Sequence, residues 1–569
     1  MLIVMIILLA VAVSRTNYGI WDADIPFGDD AVYIDQAFQL SEKNQISSSL
    51  YLNTYILVFK YVSADPIIAH YCVRYLSSLL SVIALFLLLS SLSFISELGA
   101  FVMALLWSLN LLNSPLIQFV NINLFVFALV CFAGYLWLSN GRYSRFASIG
   151  ILLVAIIMRY EYSLLLFFLA LQQLWVWRSQ SEFKNHSRRQ LIKLCSAVSF
   201  VLIILTVFAL NPNLGSRTFQ HFPDLNSYFF LGFTQHYSVY TVSGDATLRL
   251  DPYTEYDLLI NERFPGATDF FSAVRINSGE VIRYLSGNLM SNLTRLHYVL
   301  PSHGILLPSG LVTNGLTGRF GTGEFVSKKF AAYPILWLEQ ALSVMFIAGG
   351  ALWLLARNFR NFKVRHLIAN DDAVFIIGMA AVASVSFILH MPDPRYWIMT
   401  IPLVYWGAAA LTSKYCHPGS YRAALGLALL FSLVIVNPVF TSTMNRAPYT
   451  NKDVALALRE KLSSKPEPTT MKVLGYYPKP LLTFAAIGRG EFTDNIEVIR
   501  TSSYEKLIRA KTYDLVIIDN SLKNTWQYNK EQLFFEKMLQ DPAEYGYEIL
   551  LKTEKNDGPV WIFQRAQDS

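Results

Sequence analysis

The side chains able to do chemistry gather where long apolar blocks begin and end. Asp22, Asp24, Asp29 and Asp30 fall within one short stretch, WDADIPFGDDAVY, and Tyr33 closes it. Ile34 and Phe38, interleaved with Gln36 and Gln39, then begin a helical pattern. Asp29 and Asp30 are therefore expected at a helix N-terminus, where carboxylates are favoured as caps. One carboxylate is enough for that, and neither has a Glu or Gln three residues on to make a capping box. The surplus acids are candidates for general-base work.

A basic set accompanies them. Arg74 begins one apolar block. Arg159 and Glu161 interrupt another, and His390, Asp393, Arg395 and Tyr396 lie in HMPDPRYW between two more. Two prolines in that last stretch fix the connection. A single arginine here would snorkel to headgroups or pair with a neighbouring acid. Three of them at one face, with the acidic pair, suggest a site that grips an anionic group while a carboxylate works beside it.

These residues must be positioned by membrane-spanning helices. The 569 residues are 54% apolar and 15% charged, with mean hydropathy +0.38. A soluble protein averages about 25% charged residues, so one water-facing surface does not fit this chain. The net charge of +6 comes from small clusters beside apolar blocks, a topology signal rather than a nucleic-acid footprint. A span needs about 20 apolar residues. That criterion gives 72–92, 98–114, 116–138, 145–158, 160–177, 191–210, 333–356, 373–390, 395–411 and 421–438. The shorter segment 2–13 is read as a tight first helix, with a signal segment as the other reading. The fold class is thus mainly α, a polytopic protein of about 11 spans with a small C-terminal α/β domain.

Orientation follows from Lys and Arg in short connections. With the N-terminus inside, the loops 139–145, 178–190, 357–372 and 412–420 are inner and basic, while the short outer turns near 115 and 391–394 carry no Lys or Arg. Keeping 145–158 and 160–177 as two helices, despite the tightness of the Arg159 interruption, preserves this pattern. Residues 14–71, 211–332 and 439–569 then lie outside, the first two too long and polar to be simple turns. The last reads as strands 471–477 and 513–519, helices 452–462 and 530–540, and a closing hairpin turning at Asp557-Gly558. The bland role for that unit, capping or binding a partner, is preferred to a catalytic one. Cys72, Cys131 and Cys195 fall at or within spans and Cys416 in an inner loop, so no outside disulfide is expected. The glycine-rich 315–325 lacks the pieces of a phosphate loop. Asn292-Leu-Thr294 fits a glycosylation acceptor. Aromatic residues between Phe219 and Tyr237 suit either an interfacial lid or packing against neighbouring helices.

The stretches GDDAVY (28–33), VRYLSSL (73–79) and DPRY (393–396), in this order of spans and outer loops, resemble the GT-C superfamily of membrane glycosyltransferases. The nearest likeness is to the aminoarabinose transferase and protein O-mannosyltransferase type, over residues 1–438. The resemblance implies transfer of a sugar from a polyprenyl-phosphate donor on the outer face. Asp29 matches the acid taken as catalytic base, Asp30 the adjacent acidic position, and Arg74 and Arg395 basic positions near the donor phosphate. Tyr33, Arg159, Glu161, His390, Asp393 and Tyr396 would line the substrate site. The Lys-Pro-Pro pattern of that subgroup is absent, so the acceptor, whether lipid, glycan or protein, is not carried over.

Elementary chemistry points the same way. Nucleotide sugars are not available outside the cytoplasm, and no nucleotide fold is visible, so a donor must arrive with a membrane-soluble handle. A divalent cation bridging Asp29 or Asp30 to a phosphate is compatible with the sequence but not compelled by it. A bacterial inner membrane with a periplasm-facing site is the expected setting. Two other classes compete. An O-antigen-type polymerase or ligase would not predict an acidic pair directly after the first helix. A flippase or transporter would carry charges deep within spans and inverted repeats.

Overall fold

The computed structural model describes residues 2–17, 20–21, 25, 29–47, 49–92, 95–113, 121–139, 141, 143–179, 225–245, 248, 250–293, 349, 370–390, 394–415, 451–463, 471–476, 478–485, 490–493, 498, 503–523, 525–555 and 558–566. It is mostly helical, with one small C-terminal sheet.

The first helix, α1 (Leu2–Thr16), turns Leu2, Ile3, Val4, Ile7 and Val11 outward and buries Leu9 and Val13, as a helix with one face in lipid would. Next come α2 (Asp29–Glu42) and α3 (Leu50–Tyr61), in the first outer region. Then α4 (Pro66–Ser91) starts at an Asp65 cap, whose carboxylate accepts from the amide of Ile67 at 2.8 Å, with Pro66 in the first turn where its missing N–H costs nothing. The helices α5 (Glu97–Ser108), α6 (Asn121–Leu138) and α7 (Ser144–Met158) follow. Then the apolar run breaks at Arg159, passes through a 3-10 turn (Tyr160–Tyr162) and resumes as α8 (Ser163–Ser179). The two helices flanking Arg159 are therefore separate, as the charge pattern required.

Three described helices are long and apolar enough to cross a membrane: α4, α6 and Asp371–Leu389. With the composition, they make this an integral membrane protein. Of the eleven expected spans, 191–210, 333–356 and 421–438 lie outside the described residues, as do Cys195, Cys416 and the glycine-rich 315–325. The span expected over 395–411 is interrupted, running as Pro394–Trp397, a 3-10 turn (Ile398–Thr400) and then Ile401–Tyr415.

The second outer region supplies α9 (Leu225–Gly244), α10 (Tyr256–Arg263), α11 (Phe270–Ile276) and α12 (Ser278–Leu293). Phe233, Tyr237, Phe264 and Tyr284 form their common core, ring against ring. Phe233 and Tyr237 thus follow the packing alternative rather than lying along the interface.

Helix α12 closes the outer end of α13 (Asp371–Leu389). The last carbonyls of a helix have no partner of their own. Here Tyr284 Oη donates to Leu389 O at 2.7 Å, Asn288 Nδ2 to Ile388 O at 3.3 Å, and Asn292 Nδ2 to Phe387 O and His390 O at 3.1 and 3.0 Å. The same Asn292 accepts from Trp397 Nε1 at 2.9 Å and is fully buried. The Asn292-Leu-Thr294 pattern is therefore no accessible acceptor in the folded chain: the amide is taken up by the fold and buried.

The C-terminal sheet has the order β2-β1-β3-β5-β4, from β1 (Met471–Leu474), β2 (Gly490–Thr493), β3 (Leu515–Ile518), β4 (Tyr547–Lys555) and β5 (Gly558–Arg565). β1 pairs parallel with β2 and β3, whereas β5 pairs antiparallel with β3 and β4. Helices Asn451–Ser463 and Gln532–Gln540 appear where expected; β2 was not foreseen. The unit is fastened to the rest at several points. Arg459 pairs with Asp65 at 2.8 Å and donates to Phe484 O and Ala485 O, and Lys452 donates to Trp21 O and stands over the Tyr71 ring. Tyr476 Oη donates to Asp251 at 2.8 Å, while Glu255 accepts from the amides of Trp526 and Gln527 at 2.8 and 3.1 Å.

Candidate active site

Three chain breaks and one loop helix meet at the ends of apolar helices. Arg159 and Glu161 come from the interruption between α7 and α8, His390 from the residue that ends α13, and Arg395 and Tyr396 from Pro394–Trp397. Each stands where an apolar run stops, the place at which a charged side chain can leave hydrocarbon without unwinding a span.

Their geometry is compact. His390 Nε2 lies 3.9 Å from Glu161 Oε1, and the His390 ring is stacked on Tyr396 at 4.2 Å with 5° between planes. Glu161 is 5% exposed and His390 7%. Arg159 is close enough to Glu161, Tyr396, Tyr33 and Arg395 for all four to act on its charge. Burial works against that charge, but Glu161 and the two phenol oxygens outweigh it, and Arg159 is held more firmly protonated than usual. His390 is driven the other way: burial first, then His236, Arg159 and Arg395, push its pKa well below the ordinary imidazole range, so it is neutral at pH 7.

Three shielded polar atoms of this cluster, Arg159 Nε, Glu161 Oε2 and His390 Nε2, have no hydrogen-bond partner among the described residues. Buried polar groups are seldom left so. A donor at Arg159 and an acceptor at Glu161, two residues apart in one turn, suit a ligand that offers both an anionic oxygen and a hydroxyl.

Of the expected residues the structure brings Glu161, His390 and Tyr396 together, with Arg159 and Arg395 near enough to bear on the charge of His390 and Tyr33 near enough to bear on that of Arg159. Tyr33 ties this group to α2, which begins at Asp29. Residues four apart on a helix share a face, so position 29 stands one turn before Tyr33 on the same side. The side chains of Asp29 and Asp30 are outside the description, and Asp393 lies outside the described residues altogether. Arg74 is engaged differently. It is fully buried, donating from Nη1 to Asn121 Oδ1 at 2.9 Å and from Nη2 to Leu112 O at 3.3 Å, where it ties α4 to the start of α6.

Sequence reasoning missed His236. Its Nε2 lies 3.3 Å from His390 Nδ1 and 3.4 Å from Tyr396 Oη. The available signal was a histidine inside an aromatic run that suited either an interfacial lid or packing. Among the described residues no group of three or more His, Cys, Asp or Glu could hold a metal ion. The pair a divalent cation would use, Asp29 and Asp30, falls outside that search.

Comparison with known proteins finds no matching family model and no matching curated protein. Among solved structures the chain is similar to the archaeal oligosaccharyltransferase AglB from Archaeoglobus fulgidus, in complex with an inhibitory peptide and a dolichol-phosphate. That match has 13% identity and a TM-score of 0.49, covering 100% of this chain and 74% of that one. It is similar also to ArnT from Cupriavidus metallidurans bound to undecaprenyl phosphate, at 12% identity and a TM-score of 0.39, covering 98% and 97%. A second Archaeoglobus fulgidus oligosaccharyltransferase structure, with Zn and sulfate, matches at 11% identity and a TM-score of 0.41, covering 99% and 73%. What the site does is taken from its own residues.

Proposed function

We propose that the protein is a membrane glycosyltransferase that moves a sugar from a polyprenyl-phosphate donor to an acceptor hydroxyl or phosphate on the outer face of a bacterial inner membrane. Residues 1–438 form the transferase body and 439–569 an extracytoplasmic domain fastened to it. One observation carries the reading: Arg159 and the buried Glu161, two residues apart in the break between two apolar helices, each hold a shielded polar atom, a donor and an acceptor, with no hydrogen-bond partner among the described residues. A glycosyl phosphate brings the matching oxygen and hydroxyl, and its prenyl tail accounts for the placement beside the bilayer.

The reaction follows from charge. The acceptor oxygen attacks the anomeric carbon and the C–O bond to phosphate breaks, with the electron pair leaving on the phosphate. The acceptor's proton passes to Asp29, a transfer of a kind that contributes about 10²–10⁴-fold. Arg159 and Arg395 stabilise the developing phosphate charge, and planar guanidinium groups suit its oxygens better than a point charge does. Neutral His390 adds no further positive charge between them. Glu161 accepts from a sugar hydroxyl and keeps the two cations from repelling one another in the free protein. Arg74 braces α4 against α6 behind the site. A single displacement inverts the anomeric centre.

The test is incubation of the purified full chain with a panel of polyprenyl-phosphate sugars, scoring free polyprenyl phosphate. Release with at least one donor, abolished by Asp29→Ala, is expected. An O-antigen-type polymerase or ligase would keep most of its activity in that variant. A flippase or transporter would release nothing from any donor.

A further inference from the structure

We infer that His236, on the outer-loop helix α9, is a positioning residue: its imidazole fixes the tautomer of His390 and the setting of Tyr396, so the pocket is complete only while that loop helix is docked. This rests on the glycosyl-phosphate reading of the site and adds to it a part that none of the chain breaks at the span ends supplies.

His390 is addressed from both sides. Its Nε2 faces Glu161 Oε1 at 3.9 Å and its Nδ1 faces His236 Nε2 at 3.3 Å. At 3.9 Å Glu161 is too far to hydrogen-bond His390 Nε2, which has no such partner among the described residues. The bond between His390 Nδ1 and His236 Nε2 needs a proton on one of these nitrogens and a lone pair on the other, so the imidazole of His236 sets the tautomer of His390 through its Nε2. The same nitrogen is 3.4 Å from Tyr396 Oη, whose ring stacks on His390. One ring nitrogen of His236 thus bears on two members of the cluster. The groups facing His390 are Arg159 and Glu161 from one turn, Arg395 and Tyr396 from another, His236 from α9, and Tyr284 from α12, which donates to the adjacent Leu389 carbonyl. His236 itself has little freedom, because its neighbour Tyr237 is buried in the loop's aromatic core and donates to Glu280 at 3.0 Å.

The test compares His236→Gln with His236→Asn. The Gln amide nitrogen reaches about where imidazole Nε2 stood, whereas the shorter Asn amide does not. On the purified full chain, the donor KM, the acceptor KM and kcat are measured with a sugar donor that the wild type uses, and the Kd for polyprenyl phosphate is measured alone. We expect His236→Asn to raise donor KM and polyprenyl phosphate Kd about tenfold, the worth of one hydrogen bond, with acceptor KM unmoved and His236→Gln close to wild type. In His236→Asn the acid limb of the kcat/KM profile should also move to higher pH, because one group opposing protonation of His390 is gone. An active wild type with Asn and Gln variants alike overturns the role of His236 alone. A wild type that neither binds polyprenyl phosphate nor releases it from any donor overturns the pocket reading, and this inference with it.

Discussion

Arg159 and Arg395 both lie near enough to the buried His390 to bear on its charge. If they grip a phosphate through paired N–H groups, lysine is a poor substitute despite its charge. Arg159→Lys and Arg395→Lys should each lower kcat/KM about 10²-fold, the scale of losing one transition-state donor, while thermal stability changes little; equal activity in both variants would remove the arginines from the mechanism. His390 makes a second prediction. Its folded pKa lies below the value of about 6.5 it would have in the unfolded chain. Between those values the unfolded chain binds more protons, so the contribution of His390 to stability is complete above about pH 6.5 and is lost as pH falls through that window. The unfolding midpoint of the wild type should drop between pH 7 and pH 5.5, and His390→Gln should flatten that part of the curve. These residues were legible in the sequence because each breaks an apolar run, a conspicuous event. His236 was not, since a histidine among Phe and Tyr in a loop breaks nothing. Arg74 was legible as a charge but not as a brace, because its partners, Asn121 and the Leu112 carbonyl, become neighbours only after α4 and α6 pack together.

Among elements, α12 and α13 are the most interdependent pair. Asn292 alone supplies two bonds to orphaned carbonyls and accepts one from Trp397. Asn292→Ala should cost roughly 2–4 kcal/mol, because it leaves buried partners unpaired. Tyr284→Phe, which removes a single donor, should cost about 1 kcal/mol. Denaturation of the purified protein checks the order, and equal losses would contradict the capping role. Element identity was largely legible: hydropathy located α4, α6 and α13, and the split at Arg159 followed from charge counting. What escaped was local. Gly490–Thr493 is four residues with a glycine at its head and no alternation, and it becomes a strand only because β1 offers it a parallel edge. The break after Trp397 has no composition signal, since Ile398–Thr400 is as apolar as a helix would be.

At the scale of the whole molecule, the C-terminal sheet is held to both outer regions. Arg459 binds Asp65 at the mouth of α4, and Glu255 in the second region receives two amides of the C-terminal domain. Burial pushes the Glu255 carboxyl upward, though those amides and that of Asp251 pull against it. Arg459→Ala and Glu255→Ala should each cost about 1–3 kcal/mol and, having no shared partner, should add in the double variant. A double variant no less stable than either single one would show that the domain is held elsewhere.

The order of the chain gives the capping of α13 a biosynthetic meaning. Residues 278–293 leave the ribosome before 371–389, so the side chains that cap α13 are synthesised before the carbonyls they cap. That apolar segment then docks its carbonyl end into an amide-lined socket and need not seek partners among lipids, and damage to the socket would be felt as poor assembly before it was felt as lost turnover.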